Sequence, residues 1–263
     1  MTQISTTPDI LVGIDGSEQS QAALEWAVTE ARFRKVGLQL VHVCEAGSYG
    51  LWTTTRTLRA GLRELTQPIV NHAVGRAREL DPDLAVRGRL VLGSTLPSLL
   101  RIAERAQLIV VGRQGRGALR AHLPGTVTQR LMELARCPVV MVPAGPVAPV
   151  LRVVLGVGDR PATDELLDFA ASTAETRSVP LLAVHCHDPR YEPLRDALDR
   201  LGAAHPLIEL AGSQVAGTLT ERCLPSDLLV LGRHHHPRLA PAILGSEVSA
   251  AVHHSPCPVA VVG

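Results

Sequence analysis

The sequence predicts an α/β protein built from two tandem, doubly wound domains, each with a mostly parallel sheet of five strands. Short apolar runs alternate with longer amphipathic segments, and this alternation is typical of βαβ units and a parallel sheet. The second half of the chain repeats the first, and a length of 263 residues suits two small cores. We expect the domains to span residues 1–144 and 150–263, with a short proline-containing linker between them.

The repeat is visible as two constant offsets along the chain. At an offset of 143 residues, Leu11–Ile14 aligns with Val154–Val157. At an offset of 120 residues, Gln107–Arg113 aligns with Asp227–Arg233. Because the offset becomes smaller, the second copy must be shorter than the first in its middle.

In the first copy, strands and helices are expected to alternate from the first strand to the last. The apolar run ending at Asp15 begins the series, and the amphipathic segment behind it forms the first helix. Leu108–Val111 supplies the fourth strand, and Gly125 with Thr126 begins the fourth helix, because a hydroxyl stands at or near the helix start. The strands are expected near residues 10–15, 38–43, 86–91, 107–111 and 138–142, and the helices near 18–35, 56–80, 95–105 and 126–135.

A glycine-spaced loop follows the fourth predicted strand, with Gly112, Gly115 and Gly125 as its fixed points. Glycine lets the backbone approach a ligand closely, and amides that point out of such a loop or from a helix N-terminus can bind an anion. In an open parallel sheet, ligands bind beyond the carboxyl ends of the strands where the strand order reverses. Asp15 and Val43 also stand at strand ends, so the pattern indicates a nucleotide site in one crevice.

Two other nucleotide-binding motifs do not fit these residues. A Walker loop needs a lysine after its last glycine, and the single lysine of this chain is Lys35, far from the loop. A dinucleotide-binding fingerprint needs G-x-G-x-x-G at the first turn, whereas this turn reads Gly13–Ser17 as G-I-D-G-S. A P-loop NTPase is therefore excluded, and an NAD site is not expected.

Composition limits the possible partners and the cellular compartment of the protein. The net charge is +1, from 26 Lys plus Arg against 25 Asp plus Glu, so a nucleic-acid partner is not expected. Five cysteines without a C-x-x-C pair favour a reducing compartment. The start of the chain lacks the pattern of a signal peptide, and no apolar stretch is long enough to span a bilayer. We expect a cytoplasmic protein with no membrane partner.

The motifs at Val12–Ser17, Gly112–Thr126 and Cys137–Val140 together resemble the universal stress protein family, in its tandem two-domain form. The resemblance covers nearly the whole chain and implies a Rossmann-like, adenine-nucleotide alpha-hydrolase-like fold. It also implies an ATP-binding regulator of stress or growth arrest, using ATP with or without Mg²⁺, with no settled catalytic activity. The candidate nucleotide-binding residues are Gly13, Asp15, Val43, Gly112, Arg113, Gly115, Arg116, Gly125 and Thr126.

The resemblance assigns each candidate a role. Asp15 would lie beside the adenosine, and the backbone of Val43 would meet the adenine edge. Gly112 would lie by the ribose, while Gly115 and the Gly125–Thr126 pair would hold the phosphates. The two arginines of the loop either add to the phosphate site or are solvated loop charges.

The second copy departs from this pattern, because Gly115 corresponds to His235 and Asp15 to Gly158. Asp159 stands one position later, and a slip of one residue at a strand end redirects the side chain. We therefore expect nucleotide to bind in the first copy and weakly or not at all in the second.

No catalytic or metal-binding residue is expected. The run His234–His236 could offer imidazoles to a metal ion, but adjacent loop histidines do not easily face one ion. His42 and His185 stand at equivalent strand positions, and each is expected to be a buried or half-buried histidine with its hydrogen bonds satisfied. No nucleophile motif is present, so a slow ATPase or an ATP-dependent transferase remains the alternative function. The final strands, Val139–Val142 and Val259–Val262, resemble the pairing edges of the family, which favours a homodimer or an internal pseudo-dimer.

Overall fold

The computed structural model divides into two compact units, residues 1–147 and 148–263. Each unit is described separately below. The residues that the structure describes are 8–45, 56–115, 125–157, 162–186, 207–211, 219, 222–233 and 246–263.

The first unit alternates strands and helices, as the sequence predicts. Its strand order is β3-β2-β1-β4-β5, and the neighbouring strands pair in parallel. Its elements are β1 (Ile10–Gly13), α1 (Glu18–Arg34), β2 (Leu38–Cys44), α2 (Arg56–Leu80), β3 (Val86–Leu92), α3 (Thr95–Ala103), β4 (Ile109–Gly112), α4 (Thr126–Leu134) and β5 (Val139–Val142).

The chain builds the sheet outward from β1 through β2 to β3 and then returns to the other side of β1 with β4. Helices α1 and α2 contact each other, as do α3 and α4. Because right-handed crossovers in opposite directions place helices on opposite faces, the sheet is doubly wound. Strands β1, β4 and β5 are buried and apolar, as expected for strands covered on both faces.

Helix α1 has clear local causes at both ends. The Oγ of Ser17 accepts a hydrogen bond from the Ser20 N–H at 3.2 Å and so caps the first turn. Lys35 ends the helix at φ 56°, with its N–H directed to the Ala31 and Arg32 carbonyls. Between these ends the helix buries Trp26 and a run of alanines against the sheet.

The second unit repeats the topology of the first in its described residues. Its strand order is β10-β9-β6-β7-β8, again with parallel pairs. Its described elements are β6 (Arg152–Val157), α5 (Asp164–Arg177), β7 (Leu181–Cys186), β8 (Leu207–Ala211), β9 (Asp227–Gly232), α6 (Ser246–His254) and β10 (Val259–Val262).

The strand order within each unit confirms the predicted α/β, doubly wound fold, with five described strands in each copy. Several boundaries differ from expectation by one or two residues. Strand β1 ends at Gly13 and not at Asp15, although the Ile14 N–H still donates to the Val41 carbonyl at 3.0 Å. Strand β4 begins at Ile109, two residues later than expected. Among the described helices, none combines the length and apolarity that a bilayer crossing requires.

Candidate functional site

The candidate site lies where the strand order of the first unit reverses, between β1 and β4. These neighbours are in register at Leu11 with Ile109 and at Val12 with Val110. Their last residues, Gly13 and Gly112, therefore lie at the same edge of the sheet. The loops that follow them meet at this edge, which is the usual ligand position in a doubly wound sheet.

Asp15 and Gly115 come into direct contact there. A Cβ atom added to Gly115 would lie 2.5 Å from Oδ2 of Asp15, closer than real Cβ atoms approach a neighbour. Residue 115 must therefore lack a side chain as long as the Asp15 carboxylate keeps its position. The pair is separated by a hundred residues in sequence, and the contact joins the β1 loop to the β4 loop.

The Asp15 carboxylate is held by the start of α1. Its Oδ1 accepts hydrogen bonds from the Ser17 N–H at 2.9 Å and from the Ser17 hydroxyl at 2.6 Å. Ser17 is itself the N-cap of α1. Because a carboxylate is favoured at a helix N-terminus and accepts strong, charge-assisted hydrogen bonds, the turn fixes the position of Asp15.

Gly112 has a packing role that the sequence interpretation missed. A Cβ atom at this position would lie 2.7 Å from the carbonyl carbon of Gln19 and 2.8 Å from its Cβ. The end of β4 therefore runs directly against the backbone of α1, and only glycine permits this approach. Gly112 is required by the packing of the fold, whether or not a ribose lies beside it.

The chain returns to the site at Gly125. Its N–H donates to the Arg113 carbonyl at 2.8 Å, which closes the base of the loop. Gly125 is the N-cap of α4, and it makes no side-chain capping bond, so the helix proper begins at Thr126. Thr128, a residue that the sequence interpretation missed, donates its hydroxyl to the buried Gly112 carbonyl at 2.9 Å. This bond ties the first turn of α4 to the end of β4.

Val43 lies on the other side of β1, near the end of β2. The carbonyls of Gly37 and Val41 accept hydrogen bonds from Ile10 and Ile14, so the backbone groups of the odd-numbered residues of β2 face β1. Val43 has the same parity and lies beyond the last residue of β1. Its N–H and C=O therefore face the space into which the loop after β1 leads.

His42 confirms the prediction of a buried histidine with a satisfied ring. Its Nδ1 lies 2.8 Å from the Ile14 carbonyl. Because a carbonyl can only accept, Nδ1 carries the proton and donates it. This bond holds the turn that carries Asp15 against β2, so His42 helps to position the site. No short sequence motif identifies this role.

The structure brings most of the predicted residues together. Gly13, Asp15, Gly112, Gly115, Gly125 and Thr126 surround the carboxyl ends of β1 and β4, and Val43 borders the same edge. Arg113 is half-buried, and its N–H donates to the Val142 carbonyl at 2.9 Å. Arg116 lies outside the described residues. Among the residues that the structure describes, no three His, Cys, Asp or Glu side chains cluster closely enough to hold a metal ion.

The corresponding site of the second unit lies largely outside the described residues. Gly156, which the repeat aligns with Gly13, lies in β6. Gly158, Asp159 and the run 234–236, which includes His235, lie outside the described residues. Weak or absent nucleotide binding by this unit stays a prediction.

Comparison with known proteins gives consistent matches along the chain. The model of the universal stress protein family matches residues 7–143 and 219–263, more than half of the sequence. A universal stress protein of Mycobacterium tuberculosis is 28% identical, over 96% of this chain and 96% of its own. One of Mycolicibacterium smegmatis is 29% identical, over 100% of this chain and 99% of its own. The crystal structure of a universal stress protein from Archaeoglobus fulgidus has the same fold, with a TM-score of 0.76 over 98% of both chains at 16% identity.

Proposed function

The chain belongs to the universal stress protein family, and we propose that its first unit binds ATP in the crevice beyond β1 and β4. Occupancy of this site would shift a conformational or assembly equilibrium of the protein, and so regulate a response to stress or growth arrest. A ligand acts in this way when it binds one of two states more tightly than the other. The site in the second unit would bind nucleotide weakly or not at all.

The observation that carries this proposal is the contact between Asp15 and Gly115. It places a fixed carboxylate beside a glycine backbone at the point where the strand order reverses. A carboxylate accepts hydrogen bonds from ribose hydroxyls or base amino groups. A glycine backbone can come close to phosphate oxygens and offer its amide. An acceptor for the ribose or base and an amide donor for the phosphates are thus adjacent.

The remaining residues fit the other parts of the nucleotide. The N–H and C=O of Val43 face beyond the end of β1, where they could pair with the adenine edge. The N-terminal amides of α4 follow Gly125, whose missing side chain leaves them without a capping oxygen from residue 125. Such amides favour phosphate. Arg113 adds positive charge to the same loop.

Mg²⁺ would be held mainly by the phosphates and by water. The described residues offer no cluster of three metal-binding side chains, and Mg²⁺ commonly keeps several waters beside one or two carboxylates and substrate phosphates. Asp15 is the carboxylate nearest to the loop glycine. Slow ATP hydrolysis or group transfer is the alternative activity, and a turnover lost on Asp15→Asn would favour it.

The test is to denature the purified full-length protein, identify the adenine nucleotides released, and titrate nucleotide-free protein with ATP by calorimetry. About one site per chain is the expected result. About two sites would show that the second unit binds as well, which would refute the predicted asymmetry. Protein that releases no nucleotide and gives no heat with ATP, ADP or AMP would overturn the proposal.

A further inference from the structure

A polar cluster lies at the amino ends of β6, β9 and β10, at the edge of the sheet opposite to the strand ends where ligands bind. Arg152 and Asp227, the first residues of β6 and β9, form a two-pronged ion pair with Nε–Oδ1 3.0 Å and Nη2–Oδ2 2.7 Å. The Leu224 N–H also donates to Oδ2 of Asp227 at 2.8 Å. Asp227 is 1% exposed, so these donors replace the water that its carboxylate has lost.

Two cysteine thiols share this cluster. Cys223 is adjacent to Leu224, and Cys257 precedes β10, where the Leu229 N–H donates to the neighbouring Pro258 carbonyl at 3.0 Å. Both residues lie beside Asp227, Cys223 through the bond from its neighbour Leu224 and Cys257 through the pairing of β10 with β9. The two thiols interact with each other and with the charge of Asp227. Both are reduced and buried.

Ser255 completes the surroundings of Cys257. Its Oγ lies 3.2 Å from the Cys257 Sγ and accepts a hydrogen bond from the Cys257 N–H at 3.3 Å. The interactions with Cys223 and Ser255 lower the pKa of the Cys257 thiol. The interaction with Cys257, together with burial, raises the pKa of the Cys223 thiol.

The first copy lacks this cluster at the same positions. The repeat aligns Cys257 with Cys137, but it aligns Cys223 with Ala103 and Ser255 with Ala135. Both alanines are buried, at 0% and 2% exposure. The packing of this fold therefore accepts plain apolar residues here, and the second thiol of the pair is not required to complete the core.

We propose that Cys223 and Cys257 are an oxidation site at which hydrogen peroxide converts a buried dithiol into a disulfide. Both cysteines flank Asp227, and their thiols interact. A disulfide forms where the two Cβ atoms can approach to about 3.5–4.5 Å. The pair lies close to the protein surface, because Leu224 is 56% exposed and the Arg152 side chain keeps 29% of its exposure.

The reaction balances with peroxide as the only oxidant. The Cys257 sulfur attacks one peroxide oxygen, the O–O bond breaks, and the departing hydroxide takes the thiol proton to form water. The Cys223 sulfur then attacks the resulting sulfenic acid, the S–O bond breaks, and a second water leaves with the Cys223 proton. Two thiols lose two electrons and two protons, and one peroxide becomes two waters.

The test treats the folded, full-length protein with hydrogen peroxide, blocks the remaining thiols in denaturant, and measures intact mass and peptide masses. We expect the loss of two hydrogen atoms, a linked peptide pair containing Cys223 and Cys257, and full reversal by a thiol reductant. Peptide mapping of the wild-type protein decides the question without any variant. Glutathione treated in parallel serves as the control for the peroxide. The proposal would be overturned if the protein kept all of its thiols while the glutathione was fully oxidised, or if Cys257 became a sulfinic acid without a disulfide to Cys223.

Two variants give matched controls within the chain. Cys223→Ala copies Ala103 of the first unit, so it is expected to fold and to lose the cross-link. Ala103→Cys places a second thiol opposite Cys137 and is expected to gain an equivalent cross-link in the first unit. A cross-link that persists in Cys223→Ala would assign the oxidation to other cysteines and refute the proposed pair.

Discussion

Replacing Gly115 with alanine is the sharpest test of the nucleotide site. The new Cβ would lie 2.5 Å from Oδ2 of Asp15, well inside the 3.0 Å that real Cβ atoms respect. Residue 115 is not among the positive-φ glycines, so the backbone itself tolerates alanine. The clash with Asp15 is therefore the main consequence, and the carboxylate must move away from the loop.

The size of the effect follows from the bonds that this movement disturbs. Oδ1 of Asp15 accepts from the Ser17 N–H and hydroxyl at 2.9 and 2.6 Å, and a hydrogen bond to a charged group is worth about 1.5–3 kcal/mol. The site is partly exposed, so we expect a loss of about 1–2 kcal/mol in the free energy of unfolding. ATP affinity should fall at least about tenfold, since about 1.4 kcal/mol corresponds to a factor of ten.

Two variants separate the clash from other effects. Gly125→Ala lies in the same loop at φ −63°, where the nearest atom to its Cβ would be 3.8 Å away. Its unfolding free energy should change little, because the lower entropy of the unfolded chain with alanine is offset by the poorer fit of alanine to an N-cap position. Asp15→Gly removes the carboxylate that the new Cβ at position 115 would strike, so Gly115→Ala should cost almost nothing in that background.

Urea unfolding and ATP calorimetry give both readouts for the four proteins of this cycle, which are the wild type, Gly115→Ala, Asp15→Gly and the double variant. A Gly115→Ala protein with unchanged stability and affinity would refute the contact with Asp15. An equal loss of stability in the Asp15→Gly background would show that the alanine strikes something else. A loss of stability with unchanged ATP affinity would support the contact between Asp15 and Gly115 but would show that ATP does not bind there.

Three further predictions concern single positions in the first unit. Thr128→Val removes the hydroxyl that donates to the buried Gly112 carbonyl, so urea unfolding should show a loss of about 1–3 kcal/mol. Gly75→Ala lies at an exposed position of α2 with nothing within 4 Å of the new Cβ, and thermal and urea unfolding should show a gain of about 0.5–1 kcal/mol. Burial raises the pKa of the Cys44 thiol above 9.0. Cys44 should therefore stay protonated at pH 8 and react with iodoacetamide more slowly than in the urea-unfolded chain, and equal rates would refute this.

Local hydrophobic patterns explain why the fold could be predicted from the sequence. Alternating apolar runs report local burial with a period of two, and helical faces report it with a period of 3.6. These signals are local, so α2 was expected near 56–80 and spans Arg56–Leu80. Boundaries such as the end of β1 depend on which neighbour supplies the last hydrogen bond, and they shifted by two residues.

The sequence by itself determined the order of the elements, the repeat, the family resemblance and the placement of Asp15 and Gly112 near strand ends. Only the tertiary structure decided that β1 and β4 are neighbours, because strand order depends on contacts between distant segments. That adjacency brings Asp15 against Gly115 and gives Gly112 its packing role on α1. The thiol pair of Cys223 and Cys257 could not be predicted for the same physical reason, because each residue looks like an ordinary buried cysteine until the strands of the second unit are placed side by side.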